Sequence, residues 1–405
     1  MEIWLSDKKI FELAEEFGTP LYVYNEKVLR KSCKDMRGLL PNKNFHVSYS
    51  IKANSNIELL KIVKEEGLCA DAMSMGEIYV LEKAGFKSQE IFFVPNNVSQ
   101  NEMKFAIDRN ILISADSLSQ LDMVGRLNKG GEVALRFNPS TGIGHHDKVV
   151  TAGKSTKFGI QTSYIDEAKK LLKKYDLKLK GINQHLGSLV LKKEPYLSGT
   201  LELLNIAKQF DNLSFIDFGG GFGVPYKESE ARLDLKDLSA GLDKLITEFL
   251  KEYKNKDIMF RIQPGRYIPA ECGILLGTVH ALKTNYGTEY VGTDIGFNVL
   301  MRPVLYDSYH EIHVIKKKGG KKKKKTYTIV GNICETGDII AKDRSLQEID
   351  EDDIIAVLTA GAYGYSMSSN YNLRLRPAEV LIQADGSYWL IRERETLEDL
   401  IRNSV

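Results

Sequence analysis

Lys52 stands in Tyr49-Ser-Ile-Lys-Ala-Asn54, directly after the apolar run 45–51, which reads as a buried strand. A lysine at the end of a parallel barrel strand sits in a partly dry site, which lowers its pKa and frees the amine for Schiff-base formation. A surface lysine after a strand is the plain alternative, so the neighbours decide. Arg136 lies in another strand-like run. His185 ends the next, in Gln184-His-Leu-Gly-Ser188, and Asp217-Phe-Gly-Gly-Gly-Phe-Gly223 and Gln263-Pro-Gly-Arg266 follow two more. Glycines Gly219, Gly220 and Gly221 let backbone amides approach an anion closely and form a nest for a phosphate at the start of the next helix. A tight turn alone would also use them. Ser188 can add a hydroxyl to that anion, and the flat ring of His185 can lie against an aromatic cofactor. Arg266 and Arg302 carry the planar fork suited to a carboxylate, or to a salt bridge. A Schiff-base lysine makes pyridoxal 5'-phosphate the first cofactor to test.

These residues need elements to hold them on one rim. Short β-branched or aromatic runs at 45–51, 68–72, 91–94, 112–115, 133–138, 181–185, 213–218 and 258–262 alternate with stretches of helical period. The latter include Ile57-Leu60-Ile62-Val63, Leu118-Leu121-Val124 and Leu242-Ile246-Phe249. Eight strand–helix alternations are the pattern of an α/β (β/α)8 barrel, whose active site lies at the carboxyl ends of the strands. A doubly wound sheet is the alternative, because periodicity does not show whether a sheet closes.

From about residue 266 the texture changes to strand-like runs without long helices: 273–282, 289–293, 312–315, 326–330, 353–357, 379–382 and 388–391. This predicts a C-terminal all-β domain. The organisation expected is residues 1–30 as a helix and strand packing with the β-domain, 31–270 as the barrel, and 271–405 as the β-domain. The N-terminal helix is marked by Ile10, Leu13, Ala14 and Phe17, and the strand 21–24 follows the Gly18-Thr-Pro20 break. Between two strand candidates, 316–325 holds eight lysines around Gly319-Gly320. Like charges repel and glycines break helices, so a solvated hairpin loop is expected rather than a patch for nucleic acid.

Composition narrows the classes. With 43% hydrophobic and 27% charged residues the chain is ordinary globular material with room for a large core. A net charge of +2 gives no overall field to attract nucleic acid or a membrane surface. Cys33, Cys69, Cys272 and Cys334 are scattered, with no C-x-x-C pair and no histidine at ligand spacing. That argues for a reducing cytoplasm and against a metal site. No secretory leader and no run long enough to span a bilayer is apparent.

The combined pattern resembles the fold-type III pyridoxal-phosphate decarboxylases, with an alanine-racemase-like barrel, and most closely the diaminopimelate decarboxylases. The resemblance spans nearly the whole chain. Its pieces are the Lys52 segment, Lys157-Phe-Gly-Ile160, His185-Leu-Gly-Ser188, Gly219-Gly-Gly-Phe-Gly223, Pro264-Gly-Arg266 and Arg302-Pro-Val-Leu-Tyr306. Cys334-Glu335 with Asp338, Gly361-Ala-Tyr-Gly364, Met367-Ser-Ser-Asn-Tyr-Asn372 and Arg376-Pro-Ala-Glu379 complete it. It implies that Lys52 carries the cofactor, that His185 stacks on its ring, and that Ser188, Gly219, Gly220, Gly221 and Tyr363 hold its phosphate. Arg136, Gln263, Gly265 and Arg266 belong to the same cofactor set. Arg266, Arg302, Tyr306 and Tyr363 would contact the substrate, Glu335 its far ammonium, and Cys334 would donate a proton after carbon dioxide leaves. The resemblance also implies a homodimer in which Cys334 and Glu335 serve the partner's site. The activity implied is decarboxylation of meso-2,6-diaminopimelate to L-lysine, the last step of lysine biosynthesis.

Two positions depart from the family pattern: Gln263 stands where glutamate is usual, and Leu189 where a polar residue is common. Gln263 removes the acid that keeps the pyridine nitrogen protonated. Rival readings are a decarboxylase of ornithine, lysine or arginine, a non-catalytic regulatory homologue, and a racemase. Cys334-Glu335 rather than cysteine-aspartate, with Arg302 beside Tyr306, favours a substrate with a second carboxylate. A non-catalytic homologue would be expected to lose Lys52 or Cys334, and no tyrosine motif of the racemase kind is found.

Overall fold

The computed structural model describes residues 3–139, 156–317 and 323–405. The chain forms two compact units: residues 30–224 with 231–268, and residues 1–29 with 225–230 and 269–405. It opens with the helix Asp7–Phe17, N-capped by Ser6, and the strand β1 (Leu21–Asn25).

The first unit is a closed parallel barrel of β2 (Phe45–Ser50), β3 (Cys69–Ala72), β4 (Ile91–Phe93), β5 (Leu112–Ala115), β6 (Glu132–Arg136), β7 (Lys178–Asn183), β8 (Phe215–Asp217) and β9 (Met259–Ile262), with β9 pairing back to β2. Closure rules out the doubly wound alternative. The sequence marks where the barrel helices begin. Ser74, Ser99 and Ser117 each accept a backbone N–H three residues on, and Ser99 and Glu102 close a capping box at the helix Gln100–Ile107. Inside, Phe92, Val94, Ala134 and Phe215 pack together, with the Phe92 and Phe215 rings edge to face at 5.5 Å.

Strand ends differ from expectation at the rim that matters. β7 stops at Asn183 rather than reaching 185, and β8 is trimmed to Phe215–Asp217. Beyond them the chains leave the barrel and pair as loops: Val190 N–H donates to Gly221 O at 2.9 Å and Gly223 N–H to Val190 O at 3.0 Å. His185 is therefore a loop residue.

In the second unit β1 lies between β10 (Gly273–Asn285), to which it is antiparallel, and β16 (Ala378–Ile382), to which it is parallel. The sheet also holds β11 (Thr288–Thr293), β12 (Ile312–Ile315), β13 (Lys324–Val330), β14 (Ile339–Gln347), β15 (Ile354–Val357) and β17 (Tyr388–Arg392). Its core gathers Ile10 and Leu13 of the first helix with Leu21, Val23, Leu276, Ala356 and Val380. The turn between β10 and β11 is Tyr286-Gly287, both at positive φ, the two-residue form that matches strand twist.

Two expectations are corrected here. β14 has no counterpart among the sequence candidates, because its register slips against β13 around Asp343, which sits at φ 51, and the bulge breaks the period of two. Among the described residues the strands on either side of the lysine segment do not pair as a hairpin: β12 pairs with β15, whereas β13 pairs with β11 and β14. Lys316 lies against Asp350 and Asp353 at 2.6 Å and Lys317 against Asp352 at 3.1 Å. Residues 318–322 lie outside the described residues. Among the described residues no helix is long and apolar enough to cross a membrane.

Candidate active site

A cavity at the carboxyl ends of the barrel strands is lined by Lys52, Arg136, His185 and Gln263, with Asp71 and Asn183 between them. Lys52 is half-buried in the short turn Ile51–Ala53 that ends β2. Across from it, at the end of β3, buried Asp71 accepts the Ser50 hydroxyl at 2.7 Å. Burial pushes the Asp71 carboxyl up to about 8, against the opposing pull of the Lys52 charge and the Ser50 bond. Arg136 ends β6 and is fixed on two sides, by Asp116 at 3.2 Å and by the face of Phe158 at 4.7 Å. His185 accepts Gly220 N–H on Nδ1 at 3.3 Å, so that nitrogen carries a lone pair. Burial, then the charges of Lys52 and Arg136, holds the imidazole well below its usual pKa, and the ring is neutral.

The glycine turn is required by the backbone around it. A Cβ on Gly219 would meet Gln184 O at 2.2 Å, and one on Gly220 would meet Gln263 O at 2.0 Å. Gly219 and Gly221 also stand at φ 78 and 104. The turn is thus pressed between the loop after β7 and the one after β9, with the Gly219 amide on Asp217 and the Gly220 amide on His185. Ser188 Oγ accepts from Arg266 Nε at 3.2 Å and Nη2 at 2.9 Å, so this hydroxyl and guanidinium form one polar pair, and Gly265 precedes it in the turn after β9. Leu189, the second departure, stands at φ 65 at the bend where its loop meets Gly221.

Several buried polar atoms here find no hydrogen-bond partner among the described residues: Asn183 Nδ2, Gln184 Oε1, Asp217 Oδ2 and Gln263 Nε2. Such atoms are costly unless something fills the space between them. Two of them belong to residues that line the cavity, beside an amine, a neutral ring and a glycine cradle. That donor set fits pyridoxal 5'-phosphate, which has an aldehyde, a flat heteroaromatic ring and a phosphate. Asp217 keeps one oxygen on Gly219 N–H at 2.9 Å, and burial pushes its carboxyl up to about 6.

The remaining candidates belong to the β-unit. Arg302 is 2% exposed, its guanidinium on His310 Nε2 at 2.9 Å, Ser308 Oγ at 3.3 Å and the Tyr226 face at 4.7 Å. His310 Nδ1 bonds Leu358 O at 2.9 Å, so it carries the hydrogen and Nε2 accepts from Arg302. Tyr306 ends the short helix Arg302–Tyr306, and Tyr363 stands at φ 57. Cys334 and Glu335 are both exposed on the loop between β13 and β14.

Asp71, Asp116 and Asn183 escaped the sequence reading. A signal existed: acids at the ends of three predicted barrel strands, Asp71, Asp116 and Asp217, break runs that are otherwise apolar. Among the described residues no cluster of His, Cys, Asp or Glu is placed to hold a metal ion.

A closed barrel with a lysine at its carboxyl rim and a glycine cradle two loops away is the frame of a barrel-type pyridoxal-dependent enzyme. Residues 26–270 match the family model described as pyridoxal-dependent decarboxylase, pyridoxal binding domain. A diaminopimelate decarboxylase of Methanothermobacter thermautotrophicus is 39% identical over 399 residues, spanning 96% of this chain and 92% of its own. That of Aquifex aeolicus is 35% identical over 418 residues, 100% of this chain and 96% of its own. The solved diaminopimelate decarboxylase of Helicobacter pylori complexed with L-lysine superposes with a TM-score of 0.89 at 32% identity, over 97% of this chain and 98% of that one. The chain belongs to the diaminopimelate decarboxylase family.

Proposed function

We propose that the protein removes the carboxylate from the D-configured centre of meso-2,6-diaminopimelate, giving L-lysine and carbon dioxide, as a homodimer in the cytoplasm. The observation that carries this is the cavity where the Lys52 amine, the neutral His185 ring and the unpartnered Gln263 amide converge. Lys52 would hold pyridoxal 5'-phosphate covalently, His185 would cover one ring face, Gln263 would face the ring nitrogen, and Arg136 with Asp116 behind it would fix the pocket wall. Gly219, Gly220, Gly221, Ser188, Gly265 and Tyr363 would take the phosphate, with Arg266 shared between phosphate and substrate. When bound, the group supplies a conjugated ring that takes up the electron pair left as the carboxylate departs.

The protein's own part is to orient and to move one proton. A neutral His185 covers the ring without adding a competing charge. Arg302, Tyr306 and Tyr363 would grip the substrate's carboxylates, while Glu335 of the other subunit takes its far ammonium. The Cys334 thiol then gives its proton to the carbon that lost carbon dioxide, and solvent restores it. Two amino-acid ends need two sets of cation and anion contacts, which ornithine does not offer.

The deciding measurement is product analysis with meso-diaminopimelate and ornithine side by side. Lysine from the first and no putrescine from the second is expected, together with a visible cofactor band that disappears in Lys52→Ala. Putrescine as the main product, or an unchanged band in the variant, would overturn the reading.

A further inference from the structure

Cys334 and Glu335 are exposed on a loop, where side chains ordinarily sample many rotamers and pay entropy when a ligand orders them. This loop is held from below. Asp338, 3% exposed, accepts Ile333 N–H at 2.8 Å and Phe297 N–H at 2.7 Å, and its own N–H donates to Glu335 O at 3.0 Å. It is also held from the side. The Tyr371 hydroxyl donates to Glu335 Oε1 at 2.6 Å, and the Tyr371 ring stacks on Phe297 at 5.5 Å and 19°. Asn372 Oδ1 accepts Cys334 N–H at 2.9 Å.

The segment that brings these two residues is strained. Asn372 and Leu373 both sit in the left-handed region, at φ 55 and 53. Such conformations cost free energy for residues with a Cβ and persist where the surroundings fix them. Asparagine is among the residues that tolerate the position best, and its short side chain is what reaches the Cys334 amide. One oxygen of Glu335 is taken by the phenol, which leaves the other to accept from an incoming cation. The carboxylate in turn pushes the Tyr371 phenol up, so it remains a donor.

We propose that Tyr371 and Asn372 are positioning residues for the acid pair: Tyr371 aims the Glu335 carboxylate at the substrate's distal ammonium, and Asn372 fixes the backbone that carries the Cys334 thiol. This rests on the roles given to Glu335 and Cys334 above and extends them to residues that never touch the reacting atoms. Tyr371 thereby helps select a substrate with a second charged end.

Steady-state kinetics of the holoenzyme on meso-diaminopimelate tests it. Tyr371→Phe keeps the ring stack and loses only the hydroxyl, so KM rises about fivefold and kcat falls by a smaller factor. Glu335→Gln raises KM further, and the double variant is no worse than Glu335→Gln alone, because nothing is left to aim. Additive losses, or an unmoved KM in Tyr371→Phe beside a raised one in Glu335→Gln, overturn the positioning role of Tyr371. An unmoved KM in Glu335→Gln overturns the role of Glu335 and this inference with it. Asn372→Gly keeps the left-handed backbone and drops the acceptor, so its loss of about fivefold falls on kcat, and Asn372→Asp restores it. Failure of that rescue overturns the role of Asn372.

Discussion

Gln263 puts a neutral amide where the family generally has a carboxylate, in a cavity whose other wall is a neutral histidine. An amide can hydrogen-bond a pyridine nitrogen but does not hold a proton there by charge. Hydrogen bonds to charged groups contribute roughly 1.5–3 kcal/mol against about 1 for neutral ones, so the electron sink is weaker by a factor of about ten in rate. Gln263→Glu is expected to decarboxylate about tenfold faster; turnover no higher than the parent's would remove the weak-sink account. Asp217 gives a second residue-scale expectation. Its carboxyl is fully buried and raised from 3.8 to about 6, so the folded protein holds its proton more tightly than the unfolded chain. The native state then loses stability as pH rises from about 4 to 6, with an upper bound of about 3 kcal/mol. Asp217→Asn lacks that loss, so its melting temperature relative to the parent, measured without cofactor, climbs across this window and levels off above it. A difference that stays flat with pH would show that Asp217 keeps an ordinary pKa.

At the scale of elements, the turn after β8 carries the sharpest demand. Gly220 has backbone oxygen of Gln263 where a Cβ would go, at 2.0 Å, and backbone does not yield as a flexible side chain does. Gly220→Ala should push the turn off the loop after β9, lowering cofactor affinity at least tenfold by fluorescence titration and also lowering the melting temperature. Retention of parent affinity would mean the cradle is looser than its packing indicates. The same turn shows how far local sequence carries. Three glycines after an apolar run announce a close approach, but not what approaches. The loops after β7 and β9 supply it through the backbone of Gln184, Gly187 and Gln263, and Val190 pairs with the far side of the turn. β14 failed for a related reason: a bulge at Asp343 erases the alternation that marks the other strands.

For the whole molecule, the candidate residues divide between the two units, with Lys52, Arg136, His185, Ser188, Gly219, Gly220, Gly221, Gln263, Gly265 and Arg266 in the barrel and Arg302, Tyr306, Cys334, Glu335 and Tyr363 in the other. If each site takes Cys334 from the partner subunit, two dead variants can repair each other. Lys52→Ala mixed with Cys334→Ala under subunit exchange should regain roughly a quarter of parental activity, since half of randomly mixed dimers are hybrids with one intact site. Mixtures that stay inactive while exchange is shown by mass would place both residues in one subunit's site.

The sequence by itself determined the alternation of strand and helix, the rim residues at the strand ends and the family, because apolar period and side-chain chemistry are local properties of the chain. Closure of β9 onto β2 needed tertiary structure, since pairing between strands more than 200 residues apart leaves no local trace. So did the neutrality of His185 and the raised Asp71, because a pKa is set by burial and by charges that arrive from other strands. The partners of Glu335 and Cys334 came from a segment some 36 residues onward, joined to them only by folding.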